Sequence, residues 1–211
     1  MLEEWSPSPN FGSRNGRSII AIVDHITSGD FPGCLEWLQN PVSKASAHYL
    51  ITRSGRIIQL VKEGNAAYDV GVVNNPHWSL YDGTNPNRYT IGIEHEGYDG
   101  SLTEEQYQAT LFLHRELTNK YNIPIDDEHI IGHYRIDSVD RPNCPGPNFP
   151  WNRLFNDLKG VVSVSEEIRP VKGPIAPNDI YLSVRVLDNL ADQAIADIRK
   201  LGFACQKLEL A

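Results

Sequence analysis

Ile131-Gly-His-Tyr-Arg-Ile-Asp-Ser-Val-Asp-Arg-Pro-Asn-Cys-Pro-Gly146 is the stretch of sequence around which the chain is organised. It places the imidazole of His133 and the thiol of Cys144 eleven residues apart, and prolines on both sides of the thiol stiffen its loop. The apolar residues before His133 predict a short strand with the imidazole at its end. Imidazole and thiolate are both zinc ligands. A histidine and a cysteine in one loop commonly have unrelated roles, so any further ligands have to come from elsewhere in the chain.

The composition indicates a soluble globular protein. With 211 residues, 40% of them apolar and 22% charged, the chain has material for one domain of ordinary size plus a small appendage. Its formal net charge of -8 comes from 19 basic and 27 acidic residues. Nucleic-acid binding depends on neutralising phosphates with Lys and Arg, so this charge argues against a nucleic-acid partner.

The cysteines and the amino terminus bear on the compartment. Cys34, Cys144 and Cys205 are odd in number and widely spaced, which predicts no disulfide framework and synthesis in a reducing compartment. The first ten residues lack the basic and apolar regions of a signal peptide. No apolar run approaches the length of a membrane span, so we expect no membrane insertion. We expect synthesis in the cytoplasm, and action outside a cell would require another route of release.

Two apolar segments predict buried strands that end in polar side chains. Ser18–His25 contains five consecutive apolar residues, mostly β-branched, and ends at His25. Thr90–Glu94 ends at Glu94, and its glycine permits close approach of another group. Functional sites often form where strands end. Each residue also has a simpler interpretation, as a histidine bonded to backbone or a solvated carboxylate.

A β-hairpin and a long loop are predicted between these strands. Ser46–Thr52 and Arg56–Val61 flank a Ser-Gly turn, which is typical of a hairpin. His48 and Tyr49 fall on opposite faces of its first strand, so one of them is expected to face the interior. Residues 62–89 predict a long ordered loop whose aromatic side chains either line a groove or anchor the loop.

Helices complete the predicted domain. Phe31–Gln39 predicts a short helix that buries Cys34 as a small core residue. The capping-box pattern at Thr103 predicts a helix to about Tyr121, with His114 on its flank. Trp151, Leu154, Phe155 and Leu158 predict one apolar face of a closing helix.

The carboxyl-terminal part of the chain has a different character. We predict a catalytic domain over residues 1–160 and a proline-containing linker over 161–178. Residues 179–211 have the pattern of a small β-α-β module. Because about 32 residues cannot bury a core of their own, this module is expected to dock on the main domain or form a homodimer. Cys205 is expected to lie in that packing.

Together, the strand ends and the proline-rich loop predict a catalytic metal site. His25, His133 and Cys144 offer two imidazoles and a thiolate to Zn²⁺, which leaves a fourth tetrahedral position for water. Zinc lowers the pKa of such a water and polarises a carbonyl oxygen. Glu94 would then act as general base and pass the proton to a departing amine. A structural zinc site would more often have a fourth protein ligand, and no residue of suitable spacing offers one.

The chain from about Ser18 to Leu158 resembles the zinc-dependent N-acetylmuramoyl-L-alanine amidases of the type 2 family, which is related to the peptidoglycan-recognition proteins. The matching segments are Val23–His25, Ser46–Tyr49, Ile91–Glu94, Gly132–His133 and Cys144–Trp151. The resemblance implies an α/β fold with a mixed central β-sheet flanked by helices. It also implies that His25, His133 and Cys144 bind zinc, that Glu94 is the catalytic carboxylate, and that Tyr49 lies beside the metal.

The chain departs from this family at two places. Many members have a lysine two residues before the last ligand, where this chain has Pro142. Arg141 is the candidate to supply the missing positive charge to the oxyanion, because arginine is a permanent cation with forked donors. The recycling members often have Trp-His-Ala-Gly where this chain has Tyr68-Asp-Val-Gly71.

Three hypotheses about function follow from the resemblance. The first is a peptidoglycan hydrolase that cuts between N-acetylmuramic acid and the L-alanine of the stem peptide, as a phage or prophage endolysin released to the cell wall. In that case the module over residues 179–211 would help to bind the wall or form a dimer. The second is a cytosolic recycling amidase that acts on soluble muropeptides. The third is a non-catalytic peptidoglycan-binding protein, although such relatives typically lack the thiol that Cys144 provides.

Overall fold

The computed structural model describes residues 3–160, and those up to Lys159 belong to one compact unit. The predicted linker at 161–178, the predicted module at 179–211 and Cys205 lie outside the described residues. The strands are β1 (Glu3–Trp5), β2 (Phe11–Ser13), β3 (Ala21–Ile26), β4 (Tyr49–Ile51), β5 (Ile57–Gln59), β6 (Asn65–Ala67), β7 (Thr90–His95) and β8 (Ile130–Gly132). The helices are α1 (Gly33–Gln39), α2 (Glu104–Tyr121) and α3 (Trp151–Leu158), with 3₁₀ turns at Pro86–Arg88 and His133–Arg135. No helix in this part of the chain has the length and apolarity needed to cross a membrane.

The predicted α/β fold with a mixed central sheet flanked by helices is confirmed. Six strands form one sheet in the order β1-β5-β4-β7-β3-β8. Strand β3 is parallel to β7 and β8, and β7 is also parallel to β4. The predicted hairpin of β4 and β5 is the antiparallel pair of this sheet, while β2 and β6 form a separate antiparallel ribbon.

Both faces of the sheet are covered, which explains the unbroken apolar runs in its central strands. Ile22 and Ile93 belong to a buried cluster with Leu113 of α2. Val23 and Ile131 pack on the opposite face against residues of the loop 68–89. Alternation along β3 therefore sends Asp24 toward α2 and His25 toward the loop face.

The long helix begins and ends as its sequence predicts. The Thr103 hydroxyl accepts a hydrogen bond from the Gln106 amide at 3.1 Å, and Asn122 ends α2 in the left-handed conformation with a φ of 53°. The prediction that His114 lies on the helix flank was wrong. Its side chain is fully buried, and its Nε2 lies 3.1 Å from the Asp24 carboxylate. Burial lowers the pKa of His114, but Asp24 more than compensates and raises it above the ordinary value.

The hairpin and loop predictions are refined by the structure. Both His48 and Tyr49 are buried, where one interior side chain was expected, because the sheet is covered on both faces. The long loop contains β6 and a 3₁₀ turn, and Trp78 anchors it by packing on Tyr89. Cys34 is a buried core residue, as predicted, and burial raises the pKa of its thiol to about 11.

His48 is predicted to make the folded protein sensitive to acid. Burial lowers its pKa to about 4, whereas an unfolded chain has a histidine pKa of about 6.5. The unfolded chain therefore binds the proton more readily, and stability is lost as the pH falls from about 6.5 to 4, by up to about 1.4 kcal/mol per pH unit. His48→Asn should reduce this slope in urea denaturation series, since asparagine can still accept from the Gly92 amide as Nδ1 does.

The matched control is His77→Asn, which removes an exposed histidine. It should leave the pH slope of the unfolding free energy unchanged. An identical slope in wild type and His48→Asn would contradict the assignment of the acid sensitivity to His48.

Candidate metal centre

Three donor atoms from distant parts of the chain converge at the carboxyl edge of the sheet. His25 Nδ1 lies 3.1 Å from His133 Nδ1 and 4.0 Å from Cys144 Sγ. The ligand atoms of the three residues all lie within 4.8 Å of one another. Both histidines are buried, and Cys144 is partly exposed. The structure thus brings together the three metal ligands that the sequence predicted.

The strand arrangement explains why these residues meet. Strand β8 runs parallel to β3, so the 3₁₀ turn after β8 places His133 beside the end of β3 that carries His25. The loop that carries Cys144 is tied to this turn, because the Tyr134 amide donates to the Cys144 carbonyl at 3.1 Å. Gly146 has a φ of 125° and packs against the backbone of Asp99, where a Cβ would lie 2.2 Å from the carbonyl carbon. The loop therefore requires a glycine just after the thiol.

The far nitrogens of both imidazoles face acceptors on one short segment of the loop. His133 Nε2 donates to the Val70 carbonyl at 2.7 Å, which leaves Nδ1 directed at the other ligands. His25 Nε2 lies 3.6 Å from Asp69 Oδ2, and both side chains are almost completely buried. Asp69 has no role predicted from the sequence, although it stands where the recycling members often have the histidine of Trp-His-Ala-Gly.

Glu94 lies next to His25 across the β3–β7 pairing, as predicted from the strand ends. The residue is partly buried, and its Oε2 is enclosed with no hydrogen-bond partner among the described residues. Burial raises the pKa of Glu94, His25 and Arg141 oppose the shift, and Asp69 adds to it. A carboxylate in this environment is well suited to accept a proton.

The electrostatics of the three donors fit a divalent cation. Burial and the neighbouring His25 lower the pKa of His133 to about 3, so its imidazole is neutral and able to bind metal. Burial lowers the pKa of His25, but Asp69 and Cys144 outweigh it and raise the value well above normal. This raised pKa indicates a negative local potential that attracts a cation. Two imidazoles and one thiolate are a donor set that zinc accepts.

An open pocket of about 1280 Å³ lies above these groups. His25, Glu94, His133 and Cys144 line it, together with Trp37 of α1 and Tyr68 on the loop. Arg141 is exposed at its edge, and its Nη1 donates to the Asp140 carbonyl at 3.1 Å. The guanidinium is close enough to act on the pKa of Glu94.

Tyr49 is not among the residues that line this pocket. It packs in the cluster under α2, and its hydroxyl donates to Glu63 Oε1 at 2.6 Å. The expectation that Tyr49 lies beside the metal therefore does not match the structure. Strand alternation is the reason, since Tyr49 faces α2 while its neighbour Leu50 faces the other side.

Two imidazoles and a thiol beside a carboxylate, at the floor of an open pocket, are the arrangement expected of a metal-dependent hydrolase. Comparison with known families then gives a match over residues 15–147 to the family Amidase_2, described as N-acetylmuramoyl-L-alanine amidase. The chain belongs to this family.

The chain is also similar in sequence to individual amidases. N-acetylmuramoyl-L-alanine amidase A of Achromobacter lyticus is 27% identical over 178 residues, which cover 74% of this chain and 93% of that protein. The 1,6-anhydro-N-acetylmuramyl-L-alanine amidase AmpD of Salmonella typhimurium is 38% identical over 113 residues, covering 53% of this chain and 56% of the relative. The chain thus matches only about half the length of AmpD.

A solved structure extends the comparison to a substrate complex. The amidase AmiD of E. coli, in complex with anhydro-N-acetylmuramic acid-L-Ala-D-γ-Glu-L-Lys, superposes with a TM-score of 0.56. It is 28% identical, and the match covers 71% of this chain and 59% of AmiD.

Cys144→Ala is predicted to weaken zinc binding by more than about 100-fold, the upper end of the loss caused by changing a residue outside the ligand set. The thiolate is one of only three protein donors within reach of the site in the described residues. The measurement is zinc affinity by competition with a chromogenic chelator.

Cys34→Ala is the control, because it removes a buried thiol that lies in the core. It should retain the wild-type zinc affinity. Cobalt-substituted protein should show a thiolate charge-transfer band in wild type and Cys34→Ala and none in Cys144→Ala. The same band in Cys144→Ala would exclude this sulfur as a ligand.

Proposed function

We propose that this protein hydrolyses the amide bond between N-acetylmuramic acid and the L-alanine of the stem peptide, with zinc held by His25, His133 and Cys144. The observation that carries the proposal is the convergence of these donors beside Glu94 at the floor of the pocket. Membership of the Amidase_2 family supports it. The retained thiol favours an enzyme over a non-catalytic peptidoglycan-binding protein.

Zinc bound at this site would supply a Lewis acid that polarises the amide carbonyl and lowers the pKa of water. The chain's own residues do the rest. Glu94 takes a proton from the attacking water and delivers it to the nitrogen of the leaving L-alanine. Its enclosed Oε2 and raised pKa suit a group that must hold a proton between these two steps. The Val70 carbonyl keeps His133 in the tautomer that directs Nδ1 toward the site.

Arg141 is assigned to the charge that develops on the substrate carbonyl. The side chain lies at the pocket edge, beside the loop that carries Cys144. Many type 2 amidases have a lysine for this charge at the position of Pro142. The forked guanidinium of Arg141 offers the same charge with more hydrogen-bond donors. Tyr49 has no part in this mechanism because it lies on the other side of the sheet.

Among the candidate substrates, soluble anhydromuropeptides have the better support. AmpD is named for 1,6-anhydro-N-acetylmuramyl-L-alanine, and AmiD was solved with an anhydromuropeptide. The phage-endolysin hypothesis has no comparable support from the relatives reported above. Release to the cell wall for host lysis is retained as the alternative outcome of the test.

Glu94→Gln is predicted to lower kcat/KM by about 10²- to 10⁴-fold, the usual contribution of a general base. The amide has the shape of the carboxylate but cannot take a proton, and it is not one of the three metal donors. The measurement is the release of L-alanine amino termini from muropeptide, with zinc content determined on the same sample.

Glu116→Gln is the control, since this glutamate is exposed on α2. It should keep both activity and zinc. Glu94→Gln with full activity would remove Glu94 from the mechanism, and Glu94→Gln without zinc would show that its role is in metal binding.

The proposed substrate class predicts the ratio of the cleavage rates on two substrates. Soluble anhydromuropeptide should be cut at least tenfold faster than intact sacculi at equal stem-peptide concentration. Mass analysis of the products should show new L-alanine amino termini in both cases. Faster cleavage of sacculi would favour the endolysin hypothesis. If neither substrate is cleaved, the proposed function is contradicted.

A further inference from the structure

Asp69 is a buried carboxylate that lacks hydrogen bonds. Its side chain has no solvent exposure, and neither oxygen has a hydrogen-bond partner among the described residues. His25 Nε2, which lies 3.6 Å from Asp69 Oδ2, is also without a partner. Burial of a carboxylate without hydrogen bonds is costly, so its retention at this point calls for an explanation.

The sheet beneath Asp69 is shaped to accept it. Gly92 lies in the middle of β7, and a Cβ at this position would be 1.9 Å from Asp69 Oδ2. Glycine weakens a strand interior and often marks a place where another group approaches the backbone closely. The carboxylate occupies the space that any larger residue at position 92 would fill.

Val70, the residue after Asp69, makes a hydrogen bond with the second histidine, His133. The Val70 carbonyl accepts from His133 Nε2 at 2.7 Å, and the Val70 amide donates to Asn87 Oδ1 at 3.0 Å. Asp69 and Val70 therefore face the far nitrogens of both imidazoles, while the two Nδ1 atoms lie 3.1 Å apart on the metal side.

We propose that Asp69 is a positioning residue for the metal site. Its carboxylate accepts a hydrogen bond from Nε2 of His25, and this leaves the Nδ1 lone pair of His25 directed toward His133 and Cys144. The inference rests on the proposed zinc site. A carboxylate that holds the far side of a ligand histidine fixes the ring orientation and strengthens its bond to the metal. The 3.6 Å separation closes to a hydrogen bond with a small rotation of either side chain.

Direct ligation by Asp69 is the competing interpretation. Its oxygen faces Nε2 of His25, whereas the donor atoms that converge include Nδ1. Asp69 also stands outside the set of residues whose ligand atoms cluster within 4.8 Å. The geometry thus favours a role behind His25.

The first experiment measures zinc affinity in Asp69→Asn by chelator competition, with the cobalt spectrum of the same variant. Loss of the carboxylate should weaken zinc binding by about 10- to 100-fold. The cobalt bands should keep the intensity and energy of a two-imidazole, one-thiolate site. Asp82→Asn, which removes one exposed negative charge, is the control for net charge and should retain wild-type affinity.

The outcomes separate the possible roles. Unchanged zinc affinity in Asp69→Asn overturns the proposal, as does a lower thermal stability of the metal-free protein with unchanged affinity. A cobalt spectrum that indicates a changed ligand set overturns it in favour of direct ligation. None of these readouts uses amidase activity. A protein whose zinc affinity depends on Asp69 without a change of ligand set, but which cuts no muropeptide, would contradict the proposed function and leave this inference standing.

A second set of variants tests the close contact between Asp69 and β7 by changing Gly92. Gly92→Ala should displace the Asp69 carboxylate and weaken zinc binding in a similar way. In an Asp69→Gly background the three nearest atoms to the added methyl group are absent, because all three belong to the Asp69 side chain and include its Cβ at 2.8 Å, so Gly92→Ala should cause little further loss. This non-additivity is the expected result of a double-mutant cycle. Additive losses would overturn the proposal even if Asp69→Asn failed to fold.

Discussion

The parallel pairing of β3 with β7 is the constraint on which the site depends. Its hydrogen-bonded register sets His25 opposite Glu94 at the carboxyl end of both strands. Pairing of β8 on the other side of β3 adds His133 at the same edge. Parallel strands end together, so three segments far apart in sequence deliver their polar side chains to one place. A shift of one residue in either register would turn these groups to the opposite face.

The price of this convergence is a group of buried charges with few partners. Glu94 and Asp69 both have enclosed oxygens without hydrogen bonds, and His25 lies between them and the thiol. Carboxylates close to the Cys144 sulfur favour a cation, and neutral His133 completes a donor set that zinc accepts. On the opposite face of β3, Asp24 Oδ2 lies 3.1 Å from His114 Nε2, while Asp24 Oδ1 has no hydrogen-bond partner among the described residues. One strand thus carries a buried carboxylate–imidazole pair on one face and the proposed metal site on the other.

The sequence predicted the strand ends, the capped helix and the three converging donors because these depend on local patterns. It did not predict that His114 is buried, because helical spacing alone does not show that a buried carboxylate, Asp24, lies beside this position. It misplaced Tyr49, because the resemblance supplied a role without the face of β4 on which the side chain lies. Asp69 was missed because a single acidic residue in a loop has no pattern of its own. The linker and module predictions concern residues that the structure does not describe.

Hydrophobic periodicity, turn residues and capping signals are properties of short segments, and by themselves they determined the α/β class and which residues are predicted to bind metal. The distances between those residues, the shared acceptors on Asp69 and Val70, and the orphaned carboxylates were decided only by the tertiary structure. The physical reason is that strand order and register, which no segment encodes alone, determine which side chains share a face. Burial then changes the chemistry of whatever meets there.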